Sequence, residues 1–278
     1  MVKVVADSTS DLPPEVAKEL GITVVPLYVH FGTVSYRDGI DLTTDQFYVD
    51  LVKSEVLPTT STPSPGVFAQ AYDQLAQETD EIIVFTISTK LSVTYDSARR
   101  GIELMKKKCR VEVVDSRWAL MALGLLVISA AKAANSGASL DEIIALTKKN
   151  IPRLDMRIAF DTLEYLKRGG RIGKAQAFFG SLLKVNPVLT IKDGETYPVA
   201  RERSRATAVD NLYDFAAGFS RVEEIALEHA TTPDEADGLA KRIGAKFPKA
   251  HIYRSKVSPV IGAHVGPRVL EVAVLGDR

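Results

Sequence analysis

The sequence predicts an α/β fold built as two α/β domains. The first would hold a largely parallel sheet flanked by helices, the second a mixed sheet with a hairpin. Three observations carry this expectation. Short β-branched runs alternate with helical patterns through the first half of the chain, the sequence form of βαβ units. In "PVLTIKDGETYPVAR" the Asp193-Gly194 dipeptide is a hairpin turn between two strand-like runs. A length of 278 residues is more than one domain usually takes. The division is expected at 1–150 and 151–278, within a change of texture around 140–160 that includes Pro152.

The elements follow in order. Val2–Ala6 reads as a strand, and Pro13 and Pro14 open a helix that Gly21 stops. Ile22–His30 reads as one further strand, and Thr43 or Thr44 caps a helix through Lys53. A helix is expected from about Gly66 to Glu78, a strand at Glu81–Ile87, a helix near Ser92–Lys108 and a strand at Val111–Val114. The run "ALMALGLLVISAAKAA" is too short for a membrane span, contains Lys132 and reads as a buried helix. Ser139–Asn150 begins another helix. Beyond Pro152 come a strand at Arg157–Asp161, the short glycine-stopped helix "LEYLKRGG", a helix at Lys174–Lys184 and the hairpin. Helices at Ser204–Phe219 and Pro233–Ala245 then alternate with strands in "EEIALEHA", "KAHIYR" and "VLEVAVL".

Composition narrows the functional classes. The 35 basic and 35 acidic residues cancel, so no overall field draws the chain to nucleic acid or an anionic membrane. A lone Cys109 rules out an intrachain disulfide and fits a reducing compartment. The opening "MVKVVADSTS" enters a strand pattern rather than a signal peptide, so a cytoplasmic location is expected. Several motifs fail on spacing. "GGRIGKA" lacks the first glycine and the trailing Ser or Thr of a phosphate loop, and neither GxGxxG nor GxSxG is present. His30, His229, His251 and His264 are scattered without metal-ligand spacing, so no metal and no cofactor is expected.

Three polar clusters survive, each just past a predicted strand or helix end, where open α/β sheets bind ligands. "TTSTPSPG" (59–66) is stiffened by its prolines and leads into a helix with Ser64 at the cap and Pro65 in the first turn. Alone it reads first as a solvated loop with a cap. "ISTKLSVTYDSA" places Ser92 at a helix start, where it can cap the helix or help to hold an anion. "LKRGGRIGKA" puts Arg171 past a glycine helix stop, and "VIGAHVGPR" puts His264 in a glycine-flanked loop. Each alone is explained by ordinary capping or structural roles.

Taken together, "VVADSTSDLP", "PTTSTPSPGVFAQAYDQL", "ISTKLSVTYDSA", "VEVVDS", "DTLEYLKRGGRIGKAQAFFGSLLKVNPVLTI" and "PVIGAHVGPR" resemble the DegV family of bacterial fatty-acid-binding proteins, in the family's order. The resemblance implies one long-chain fatty acid buried between two α/β domains. It implies a carboxylate held at Thr60, Ser61, Ser92, Arg171 and His264, and presentation of the acid to a separate fatty acid kinase catalytic subunit that makes the acyl phosphate. It implies no catalysis by this chain, no nucleic-acid partner, and at most transient membrane contact without a span. "ALMALGLLVISAA" and "AFFGSLL" offer apolar lining for the tail, though ordinary core packing accounts for most of those side chains. Three departures stand out. Thr62 stands where the family often has Gln, Val93 where it commonly has Gly, and Arg268 where the motif usually reads Gly-Pro-Gly. Thr62 is expected to shape its loop, and Arg268 either to point to solvent or to add a second cation near the head group. The competing reading is an acyl-transferring or hydrolytic enzyme with Ser92 or Ser61 as nucleophile and His264 as base.

Overall fold

The computed structural model describes residues 1–178 and 185–278. In chain order the strands are β1 (Lys3–Asp7), β2 (Ile22–Val25), β3 (Tyr28–Phe31), β4 (Val34–Arg37), β5 (Thr59–Ser61), β6 (Glu81–Thr86), β7 (Arg110–Asp115), β8 (Leu154–Ala159), β9 (Asn186–Lys192), β10 (Glu195–Glu202), β11 (Arg221–His229), β12 (Ile252–Lys256) and β13 (Leu270–Asp277). The helices are α1 (Pro14–Glu19), α2 (Thr44–Lys53), α3 (Pro65–Leu75), α4 (Thr94–Glu103), α5 (Leu120–Asn135), α6 (Leu140–Asn150), α7 (Glu164–Arg168), α8 (Arg205–Ala217), α9 (Pro233–Lys246) and α10 (Pro259–Val265).

Strands β2-β1-β6-β7 form a parallel sheet, and β10-β9-β8-β13-β11-β12 form a mixed sheet, as the alternation and the hairpin predict. Asp193 and Gly194 both have positive φ, 51° and 84°, the backbone that a two-residue hairpin turn needs. Side-chain alternation gives each sheet two buried faces. In β1, Val5 packs with Phe68 and Tyr72 of α3, whereas Val4 and Ala6 face α5. In the second sheet, Leu227 and Val272 pack against α8 and α9, and Ala226 and Ala273 face α5. Helix α5 is therefore the middle of five layers, and lying between two sheets explains why it is apolar around its whole circumference. Its long run is core, as most of it was expected to be.

Four sequence expectations are corrected. The single strand at Ile22–His30 is two, because Pro26 lacks a ladder donor and the chain turns into a third sheet, β4-β3-β5. The "TTS" of "TTSTPSPG" is a strand of that sheet, Thr60 opposite Val29. "VIGAH" is a helix, capped by Ser258 with Pro259 in its first turn, and not a loop. Only Gly173–Phe178 of the expected Lys174–Lys184 helix region is described, and it is a 3₁₀ turn; the remainder, with Phe179–Leu183 of "AFFGSLL", lies outside the described residues.

The seam between the two large sheets holds a cluster of buried acids. Asp11 follows β1, Glu228 and Glu271 face each other across the β11–β13 ladder, and Asp38 follows β4. Glu228 accepts from the Met121 N–H at 3.0 Å, and Asp38 accepts from the Ser8 hydroxyl at 2.7 Å and the Val260 N–H at 3.3 Å. Both oxygens of Asp11 and of Glu271, and one of Glu228, are buried with no donor. Burial pushes all four acids up, Asp38 to about 7 and Glu271 to about 8, and the neighbouring acids push Asp11, Asp38 and Glu271 further.

Candidate ligand-binding site

The third sheet is what assembles the site. Strand alternation turns Thr60 inward and Ser61 outward along β5. Helix α10 packs on β3 and β5 and brings in His264 from its last turn, so that Thr60 Oγ1 and His264 Nε2 lie 2.9 Å apart across 204 residues. Burial, and secondarily the charge of Arg171, push the imidazole down to about 4, which keeps it neutral. Its Nδ1 is buried with no hydrogen-bond partner.

Ser92 ends the turn before α4 and bonds the Thr94 hydroxyl at 2.8 Å. The next residue, Val93, has φ −87°, so a β-branched side chain is accommodated there without a left-handed backbone. Arg171 is clamped by two carbonyls. Its Nε donates to Leu91 at 3.1 Å, and its Nη1 to Gly169 at 2.7 Å. One carbonyl lies beside Ser92 and the other at the end of α7, so the guanidinium bridges the two halves of the chain.

Thr60, Ser92, Arg171 and His264 line one cavity. It measures about 70 Å³, and about 660 Å³ when all atom-free space out to its mouth is counted. Arg171 is exposed, so the polar end is the open one. The rest of the wall is mostly apolar, with Leu120, Ile158, Phe160, Leu166, Ile191 and Ile261 prominent and Thr9, Thr190 and Thr196 among them. Of "ALMALGLLVISAA", only Ala119 and Leu120 reach the cavity. Leu120 does so with φ +56°, a left-handed backbone costing on the order of 1–3 kcal/mol.

The other residues singled out in the sequence stand apart from this cavity. The Ser61 hydroxyl meets His30 Nε2 at 2.8 Å on the exposed face of the sheet. Thr62 follows the strand, half-buried, and is not part of the cavity wall. Arg268 neither points free to solvent nor approaches the cavity wall. Its Nε lies 2.6 Å from Asp161, and its Nη2 3.6 Å from Glu235, two carboxylates that Arg205 also contacts. Neither Ser92 nor Ser61 hydrogen-bonds His264. Apart from Ala119 and Leu120, sequence reasoning missed the apolar wall, because its members come a few at a time from β8, α7, β9 and α10. Among the described residues no group of His, Cys, Asp and Glu is arranged to hold a metal ion, and no helix is long and apolar enough to cross a membrane.

The whole chain has relatives among known proteins. A family model described as "Uncharacterised protein, DegV family" matches residues 1–277. A DegV domain-containing protein of Streptomyces coelicolor is 37% identical over 278 residues, 98% of each chain. A DegV family protein from Thermus thermophilus, described as fatty-acid binding, superposes with a TM-score of 0.91 at 32% identity, covering 99% of both chains. A stearic-acid-binding protein from Eubacterium ventriosum also reaches 0.91, at 26% identity over 99% of this chain and 98% of its own.

Proposed function

The chain belongs to the DegV family, and from that premise we propose that it binds one long-chain fatty acid, with its tail in the apolar slot and its carboxylate at Thr60, Ser92, Arg171 and His264. The observation that carries this reading is the single cavity with a polar open end and an apolar wall between the two large sheets. The fatty-acid binding described for the Thermus and Eubacterium proteins supports it. Burying the tail contributes about 0.8 kcal/mol per CH₂, whereas the carboxylate resists burial and needs donors. With Nε2 protonated, His264 donates to Thr60 Oγ1 and leaves the Thr60 hydroxyl proton for the ligand. A neutral His264 leaves Arg171 as the cation of the site. A cavity of 70 Å³ is below the roughly 300 Å³ at which small-molecule sites begin, so loading spreads the wall side chains.

The finer reading has the chain hand the acid to a separate ATP-dependent kinase for acyl phosphate formation, in the cytoplasm, as a carrier divided at 1–150 and 151–278. The failed phosphate loop supports the division of labour, since Lys174 lies 3.3 Å from Glu195 and not in a phosphate cradle. The lone Cys109 supports the compartment. The second large sheet, whose strands all follow Ile151–Arg153, supports the boundary. A serine nucleophile is disfavoured, since His264 bonds neither serine and no carboxylate orients its Nδ1.

Native mass spectrometry with organic extraction tests the reading. One long-chain acid per chain is expected; an empty protein that turns over acyl esters would replace the carrier with the enzyme. Arg268→Gly is expected to leave affinity for palmitate and its salt dependence unchanged. It should cost at most about 1 kcal/mol of stability, as exposed ion pairs do. Weaker, more salt-sensitive binding in a titration of that variant would move Arg268 into the head-group site.

A further inference from the structure

Gly169 touches both the imidazole and the guanidinium of the head-group end. Its carbonyl accepts from Arg171 Nη1 at 2.7 Å. A Cβ placed on it would lie 2.2 Å from His264 Nδ1 and 3.0 Å from His264 Cε1. The buried Nδ1 without a partner is therefore pressed against a glycine that has no side chain to displace it. Backbone freedom does not explain this glycine, because its φ of −73° and ψ of −7° suit any residue. The neighbouring Gly170 is the opposite case, with φ +71° and open space around a would-be Cβ.

We propose that Gly169 is a positioning residue for fatty-acid recognition: its missing side chain lets His264 reach Thr60 while its carbonyl aims Arg171. The inference rests on the functional reading above. A methyl group at residue 169 meets the imidazole far more closely than the Tyr165 carbonyl of α7 at 3.1 Å and meets no backbone of α10, so the imidazole is what gives way. Turning it breaks the bond to Thr60, and Thr60 then no longer presents its hydroxyl proton to a carboxylate. The tail wall is untouched by this change, so its effect falls on the head group alone.

The experiment is a competition titration with palmitate and with hexadecanol, which share a tail and differ in charge. Gly169→Ala is expected to weaken palmitate roughly ten- to a hundredfold, the loss of a hydrogen bond to a charged group, with hexadecanol unchanged. Gly170→Ala is expected to lower the melting temperature without changing either affinity. In a His264→Ala background Gly169→Ala should add no further loss of palmitate binding, because both substitutions remove the same contact. Full palmitate affinity in Gly169→Ala, or equal loss for acid and alcohol, overturns the inference and leaves the carrier reading standing. Failure of the unsubstituted protein to bind either lipid overturns the carrier reading itself, and the positioning role with it. A readout without lipid guards against misfolding: in folded Gly169→Ala the His264 ring resonances should titrate nearer the ordinary histidine range, and an unchanged titration would also overturn it.

Discussion

Raising the pH from 6.5 to 9 is expected to destabilise the folded protein by several kcal/mol, and Glu271→Gln should remove much of that loss. Glu228 and Glu271 are direct partners across β11 and β13, both fully buried, and Asp11 joins them from beyond β1. As carboxylates they offer five oxygens that make no well-formed hydrogen bond, with Ser258 beside Asp11 and the Met121 and Ala122 N–H groups beside Glu271 giving only partial relief. A proton on one acid lets it donate to the next, so the cluster is satisfied only while protonated. The sign follows from proton counting. In the unfolded chain Glu271 ionises near 4.5, whereas in the fold it does so near 8. Between those values the folded state binds the extra proton, and stability falls as pH rises. The whole shift from 4.5 to about 8 is worth on the order of 5 kcal/mol, of which the part above pH 6.5 is about 2 kcal/mol, a sizeable share of the roughly 5–15 kcal/mol available to a domain. His264 acts the other way, because its folded value of about 4 makes stability rise up to pH 6.5. The net fall is therefore steepest just above 6.5, where His264 no longer offsets it and Asp38 and Glu271 still hold their protons, and it levels off as Asp38 loses its proton near 7 and Glu271 near 8. Urea unfolding at pH 5, 7 and 9 measures it, and a flat or rising profile above 6.5 would sink the assignment.

Those acids show what a sequence withholds. Glu271 interrupts the apolar run "VLEVAVL", a visible anomaly, yet only the ladder register reveals Glu228 as its partner. The alternation of elements made both large sheets legible, and Asp193-Gly194 fixed the hairpin, because these depend on local spacing. The site was legible as residue types and not as geometry. Thr60 and Ser61 are chemically alike in the sequence. Which one faces the cavity depends on the pairing of β5 with β3, a tertiary fact. His264 looked like a loop residue because glycines flank it at Gly262 and Gly266, yet Ser258 and Pro259 start a helix that spans the first of them. Beyond Leu120, in a run already read as possible lining, the cavity wall left no pattern, since residues such as Ile158, Leu166 and Ile261 come from separate elements that converge only after folding.

Chain length is expected to change affinity more than any single substitution at the head group. Each buried methylene contributes about 0.8 kcal/mol, so every two added carbons should tighten binding about tenfold, and palmitate should outbind decanoate about a thousandfold. The head group cannot match that. Arg171 is exposed, so its attraction to a carboxylate is screened, and the Thr60–His264 pair supplies one hydrogen bond to it from an uncharged donor. In the proposed carrier the polar end therefore orients the acid and selects it over the alcohol, while the apolar wall sets how tightly it is held. The increments should be largest while the tail passes Leu120, Ile158, Phe160 and Ile261, and vanish where it meets solvent or a closed end. Calorimetric titration across saturated acids of increasing length reads this directly. Affinities that stay level from decanoate to palmitate would mean that the tail is not buried, and the slot between the sheets would then have to serve something else.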